Sequence, residues 1–155
     1  MLFRRRASMS PAARAALAEL LRAPTFELIP LKTSMDQAAH LPPGATVSVT
    51  ASPAKGIEAT VALCEQLQAA GFKAVPHLSA RMVRDRSHLT DLIAWLEGAG
   101  VDRAFVVGGD AKEPGDFIDG LALLREMADI GHPLSEIGIP AYPQGHAFIA
   151  DGPLL

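Results

Sequence analysis

The sequence predicts an α/β protein, a parallel (β/α) barrel of the TIM type, incomplete at about five βα units of eight. Three observations predict it. Short runs rich in β-branched and aromatic residues alternate with longer stretches of helical periodicity. Three segments share one order of parts (a helix, a glycine, a strand, a polar residue) at a period of about thirty residues, the length of one βα unit. The polar residues fall at the ends of separate strands, which is how a barrel spreads its site.

A doubly wound sheet is the competing architecture. It would normally hold a nucleotide through a glycine-rich first turn. Here Pro30-Leu31-Lys32 follows the first strand, and no G-x-G-x-x-G occurs in the chain.

Each element has its own local reason. Ser10-Pro11 caps and starts a helix over Ala12 to Leu21, and Pro24 stops it. Phe26 to Pro30 is the first strand, with Glu27 as a carboxylate inside an apolar run. Two readings of Glu27 stand: an edge-strand glutamate facing water, or a carboxylic acid aimed into a barrel mouth, where burial would raise its pKa. Thr33 to His40 is a short helix, with Thr33 and Asp36 spaced like a capping box. Pro42-Pro43-Gly44 turns the chain.

Thr46 to Thr50 is the second strand, and Thr50 ends it as a turn residue or a ligand contact. Lys55 to Ala70 is the clearest helix. It carries Ile57, Val61, Cys64 and Leu67 on one face, so Cys64 reads as core filler. Gly71 ends that helix. Lys73 to His77 is the third strand, closed by His77, either a hydrogen-bonded structural residue or a catalyst.

Asp85 caps the next helix, which buries Leu89, Leu92, Ile93 and Leu96. Gly98 and Gly100 end it. Ala104 to Val107 then reads as a buried strand running into Gly108, Gly109 and Asp110. It is too short for a helix and too apolar for a loop. The glycines allow close backbone approach, and Asp110 sits just past the strand's end. Asp116 caps a helix from Phe117 to Ile130, which Gly131 ends. Glu136 to Tyr142 is the fifth strand, with His146 in the loop beyond it. Residues 1–24 thus form an N-terminal arm and short helix, and 25–155 the partial barrel.

Composition bounds the function. The chain has 155 residues, one domain by length, and 49% hydrophobic and 20% charged residues, as soluble globular proteins have. A net charge of −3 and the absence of a basic stripe give no field for nucleic acid. No apolar run is long enough to suggest a membrane span. A single cysteine fits a reducing compartment, and a cytoplasmic location is expected. Arg4, Arg5 and Arg6, with no acid before Glu19, fit either a transit peptide or a frayed arm. The five histidines show no metal-ligand spacing. Five strands leave two open edges, so self-association or a further C-terminal half is expected.

At Phe26-Glu27, Val47-Ser48-Val49-Thr50, Pro76-His77-Leu78, Gly109-Asp110 and Tyr142-Pro143 with His146, the chain resembles the methylenetetrahydrofolate reductase family. The likeness runs from Phe26 to His146. It implies a flavoprotein barrel in which NAD(P)H reduces FAD and hydride passes on to 5,10-methylenetetrahydrofolate, giving 5-methyltetrahydrofolate for methionine synthesis. By the resemblance, Glu27 is the general acid that protonates the folate nitrogen as the methylene bridge opens. Thr50, His77, Gly109, Asp110, Tyr142 and His146 fall where the family contacts FAD. Asp110 would lie near the reacting rings, where its charge disfavours anionic reduced flavin and favours the cationic iminium form of the folate.

The departures are specific. Gly108 stands where the family has arginine, Leu28-Ile29-Pro30-Leu31 where it has a second aromatic and a proline, and Gln144 where it has glutamate. Losing the arginine removes a fixed cation that could hold flavin phosphate or ring oxygens. Two further expectations stand beside the reductase. One is a non-catalytic binding or assembly module derived from the family. The other is a barrel enzyme of a different one-carbon reaction that reuses Glu27 and Asp110.

Overall fold

The computed structural model describes residues 9–142, 144–147 and 149. Residues 1–8, and with them the arginine run, lie outside the described residues, as does Pro143. The elements in order are α1 (Pro11–Arg22), β1 (Thr25–Leu28), α2 (Ser34–Ala38), β2 (Thr46–Val49), α3 (Ile57–Ala69), β3 (Lys73–Ser79), α4 (Arg86–Gly98), β4 (Arg103–Val107), α5 (Gly120–Ile130) and β5 (Glu136–Gly138), with a 3₁₀ turn at Ala80–Met82.

The five strands form one sheet in the order β1-β2-β3-β4-β5, and every pair is parallel. The order never reverses, unlike that of a doubly wound sheet. β3 divides its pairing. Lys73 to Pro76 pair with β2, and His77 to Ser79 pair with β4, so successive strands are displaced along one another. Among the described residues, β1 and β5 each pair on one side only.

Alternation along the strands decides which face is covered. Val47, Val49, Ala74, Leu78, Ala104 and Val106 are buried beneath helices. Two clusters form there. Leu28, Val47, Val49 and Ala74 pack with Leu63, Cys64 and Leu67 of α3. Leu78, Ala104 and Val106 pack with Leu89, Leu92, Ile93 and Leu96 of α4 and with Leu123 and Met127 of α5. Trp95 touches both clusters and donates its indole N–H to Glu65 Oε1 at 2.9 Å. The other face carries Glu27, Ser48, Val75, His77 and Phe105, and it faces a cleft.

Helix ends follow side-chain chemistry. Ser10 Oγ accepts from Ala13 N–H, and Asp85 Oδ1 from His88 N–H. After α3 and α4 the chain turns through Gly71 and Gly100, at φ +86° and +65°. In both turns the next residue's amide reaches back to close the helix, Phe72 to Leu67 and Val101 to Leu96. α1 buries none of its residues and leaves Leu20 and Leu21 exposed. No helix among the described residues is long and apolar enough to cross a membrane.

Several boundaries differ from the sequence reading; β1 ends at Leu28, short of Ile29 and Pro30, and α2 spans only Ser34–Ala38. α5 starts at Gly120 under Asp119, whose Oδ1 accepts from Ala122 N–H; it does not start under Asp116. Asp116 donates its amide to Arg84 O, and Phe117 is core from within a loop. Thr33 makes no side-chain cap; Ser34 Oγ instead accepts from Leu31 N–H and donates to Ile29 O. His77 does not close β3, because Leu78 and Ser79 go on to pair with Val106 and Val107. Tyr142 does not end β5, whose ladder stops at Gly138, and Pro140 has no N–H to extend it.

Candidate functional site

The sequence-predicted residues fall into two groups. The first lies on the uncovered face of the sheet. Glu27 and Ser48 are partners in the β1–β2 register, and Ser48 is the partner of Val75 in β2–β3. Glu27, Ser48 and Val75 therefore form a row across three strands. His77 comes two residues after Val75 on the same face and begins the next row, His77, Phe105 and Gly138. These residues line a cleft of about 400 Å³.

Glu27 and His77 meet across β2. Their Oε2 and Nε2 atoms are 3.7 Å apart, with the imidazole 12% and the carboxylate 60% exposed. That distance is beyond hydrogen-bond length. The His77 ring also packs against Phe105, at 5.0 Å between centroids and a 43° tilt. Gly138 allows this, since a Cβ there would press on the Phe105 ring. Burial pushes the His77 pKa below the ordinary histidine value by disfavouring imidazolium, and the Glu27 carboxylate opposes part of that shift. The imidazole is therefore neutral at neutral pH. Glu27 is not the buried acid that the barrel-mouth reading describes, because its carboxylate lies mostly in solvent on the open face.

The second group lies past the C-terminal ends of β3 and β4. Gly109 has φ +89°, and a Cβ on it would collide with Ser79 Oγ, so both backbone conformation and space require glycine. A Cβ on Gly108 would collide with Ile149 Cδ1, so this position is covered by a buried isoleucine. Asp110 projects outward, 84% exposed, with Oδ1 3.6 Å from Nε2 of His146, whose side chain is only 6% exposed. Tyr142 meets His146 edge-on, 5.1 Å between ring centroids.

β3 connects the two groups. His77 and Ser79 point to the same face, about 7 Å apart along an extended strand. His77 reaches Glu27, while Ser79 packs on Gly109. Asp110 does not line the cleft that holds Glu27. Thr50 joins the structure through its backbone: its N–H donates to Leu28 O at 3.0 Å, and its carbonyl accepts from Thr60 Oγ1 at 2.9 Å. Cys64 is fully buried and its thiol is pushed up to about 12, chiefly by burial, so it is a core residue.

Sequence reading missed Ser48, Phe105 and Ser79. Ser48 and Phe105 could have been found by continuing the period-two alternation from Glu27 and His77 onto neighbouring strands. Ser79 was hidden by ending β3 two residues early. Its Oγ is buried and makes no hydrogen bond among the described residues.

The chain matches no family model.

Proposed function

We propose that the chain is a flavin-dependent reductase acting on 5,10-methylenetetrahydrofolate with NAD(P)H, built on part of a TIM-type (β/α) barrel and working in the cytoplasm. The observation that carries this reading is the Glu27–His77 pair on the uncovered sheet face, one strand-repeat away from the Gly109–Asp110 turn. A proton donor on the open face and a fixed negative charge past the C-terminal end of β4 then belong to one parallel sheet, and such folds bind ligands at the C-terminal ends of their strands. The unreversed strand order and the displacement of successive strands are what a closing barrel requires.

The residues present fit a flavin in kind. The Ser79 hydroxyl, buried and without a hydrogen bond among the described residues, and the aromatic pair Tyr142–His146 suit a flat, hydrogen-bonding ring system. Thr50, His77, Gly109, Asp110, Tyr142 and His146 would hold FAD. When bound, FAD supplies acceptance of hydride from NAD(P)H and its delivery to the folate.

The chain's own residues do the rest. Glu27 gives its proton to the folate nitrogen as the methylene bridge opens. His77, neutral and packed against Phe105, stands beside that carboxyl. Asp110 places a negative charge beside the reacting rings and favours the cationic iminium form of the folate. Closing the open face by a second copy or a C-terminal half would exclude water from the Glu27 carboxyl.

The outer edges of β1 and β5, unpaired among the described residues, favour a second reading, a non-catalytic assembly module. Absorbance of the purified full chain decides between the two. A flavin spectrum, or saturable uptake of added FAD, is expected. A colourless protein that takes up no FAD overturns the reductase.

A further inference from the structure

We infer that Arg81 is a positioning residue for Asp110: its buried guanidinium holds the carbonyls of the loop after β4 and so fixes where the Asp110 carboxylate stands. The inference rests on the role proposed above for Asp110.

Arg81 sits in the 3₁₀ turn directly after β3 and is 6% exposed. Its three guanidinium nitrogens point into the β4–α5 loop. Nε donates to Ala111 O at 2.7 Å, Nη2 to Lys112 O at 2.7 Å, and Nη1 to Ile118 O at 3.3 Å. The backbone of the same residue adds two more ties. Its N–H donates to Gly108 O at 3.1 Å, and its carbonyl accepts from Gly115 N–H at 3.3 Å. One residue therefore grips the loop before Asp110, just after it, and near its far end. Gly115 completes the fit, since a Cβ there would collide with the carbonyls of Val83 and Arg84.

The loop needs such a grip. Between Val107 and Gly120 it forms no helix or strand, and segments of that kind move unless they are tied. The chemistry selects arginine. A planar fork of donors can serve three carbonyls in different directions at once, whereas a lysine ammonium is a single point. The carbonyl oxygens in turn offset the cost of burying the cation. Ala111, whose carbonyl takes one of the two shortest bonds, is the neighbour of Asp110. Releasing it frees the aspartate to leave His146.

The test uses the full chain with Arg81→Ala, Arg81→Lys and Asp110→Asn. In Arg81→Ala, amide hydrogen exchange across 109–118 should speed up about tenfold or more, with β2 and α3 unchanged; Arg81→Lys should be intermediate. If Arg81→Ala does not fold, Arg81→Lys carries the measurement. The second readout is the reduction potential of bound flavin, which a general loss of stability does not move. Asp110→Asn should raise it by removing a negative charge, Arg81→Lys, which keeps the cation but loses the fork of donors, should raise it too, and the two combined should go no further. Unchanged exchange in 109–118, acceleration spread evenly over the chain, or additive shifts in potential would overturn the inference. If the unmodified chain binds no flavin, the proposed function fails on its own, and the exchange result alone decides Arg81.

Discussion

Nε2 of His77 stands 3.7 Å from Oε2 of Glu27, with β2 between their strands. The carboxylate raises the His77 pKa and burial lowers it, with burial the larger effect. Glu27→Gln removes the opposing charge, so the His77 pKa should fall further. An NMR titration of the imidazole C–H signals measures this. A rise, or no change, would mean that the two groups do not interact in solution.

The same depressed pKa makes stability depend on pH. His88 is depressed as well, first by burial and then by Arg84. A histidine whose folded pKa lies below its unfolded value binds its proton more readily when unfolded. The stability linked to it is present above the unfolded pKa, about 6.5, and is lost as pH falls toward the folded pKa. Urea midpoints should therefore fall between about pH 7 and pH 5. His77→Asn and His88→Asn should each flatten that slope. A slope identical to that of the parent protein in both variants would refute the assignment.

His88 also has a bonding role that fixes its proton. Its Nδ1 accepts from Arg84 N–H at 3.1 Å, so the neutral ring carries its hydrogen on Nε2, facing Glu58 at 3.7 Å. Its own amide is capped by Asp85. Asp85→Ala and Asp119→Ala should each cost about 1 kcal/mol in denaturant unfolding. His88→Ala should cost more, about 1–3 kcal/mol for the stranded Arg84 amide in addition to lost packing. Asp116→Ala, by contrast, removes no cap and should cost less than Asp119→Ala.

That contrast marks what local sequence could and could not reveal. Serine before proline, aspartate before α4, and the glycines at 71, 100 and 131 act within a few residues of themselves, and they were legible. Asp116 and Asp119 look alike in sequence, since each is an aspartate ahead of apolar residues. Only the packing of Phe117 into the core and the Asp116–Arg84 bond decide between them. The end of β3 is set by Val106 and Val107 on another strand, and the end of β5 by how far β4 continues beside it. The site was legible as residue types but not as contacts. Glu27 meets His77 across Ser48, the small side chain that β2 puts between them, and Asp110 meets His146 because the chain returns past Gly108.

Cys64 is fully buried between α3 and the sheet, with a thiol near 12. A thiolate does the reacting, so in the native chain Cys64 should resist Ellman's reagent at pH 8 and react promptly in 8 M urea. Rapid native labelling would show that the α3 face opens readily.

Ser79 and Gly109 form a matched pair. The Ser79 hydroxyl fills the space a side chain at 109 would need, yet it makes no hydrogen bond among the described residues. A buried hydroxyl without a partner contributes little and costs desolvation. Ser79→Ala should therefore leave stability unchanged or raise it slightly. Gly109→Ala should lose at least about 2 kcal/mol, part from the left-handed backbone and part from the collision. Combining the two should recover the collision part only, because the backbone cost at φ +89° remains and Ser79 Cβ would still lie 3.1 Å from the new methyl. The unfolding free energies of the three variants give the coupling directly. Strict additivity would mean that the hydroxyl and the glycine do not share that space. A marked loss from Ser79→Ala alone would mean that the hydroxyl is bonded in solution, and an ordered water or a ligand polar group at the strand ends would be the partner to look for.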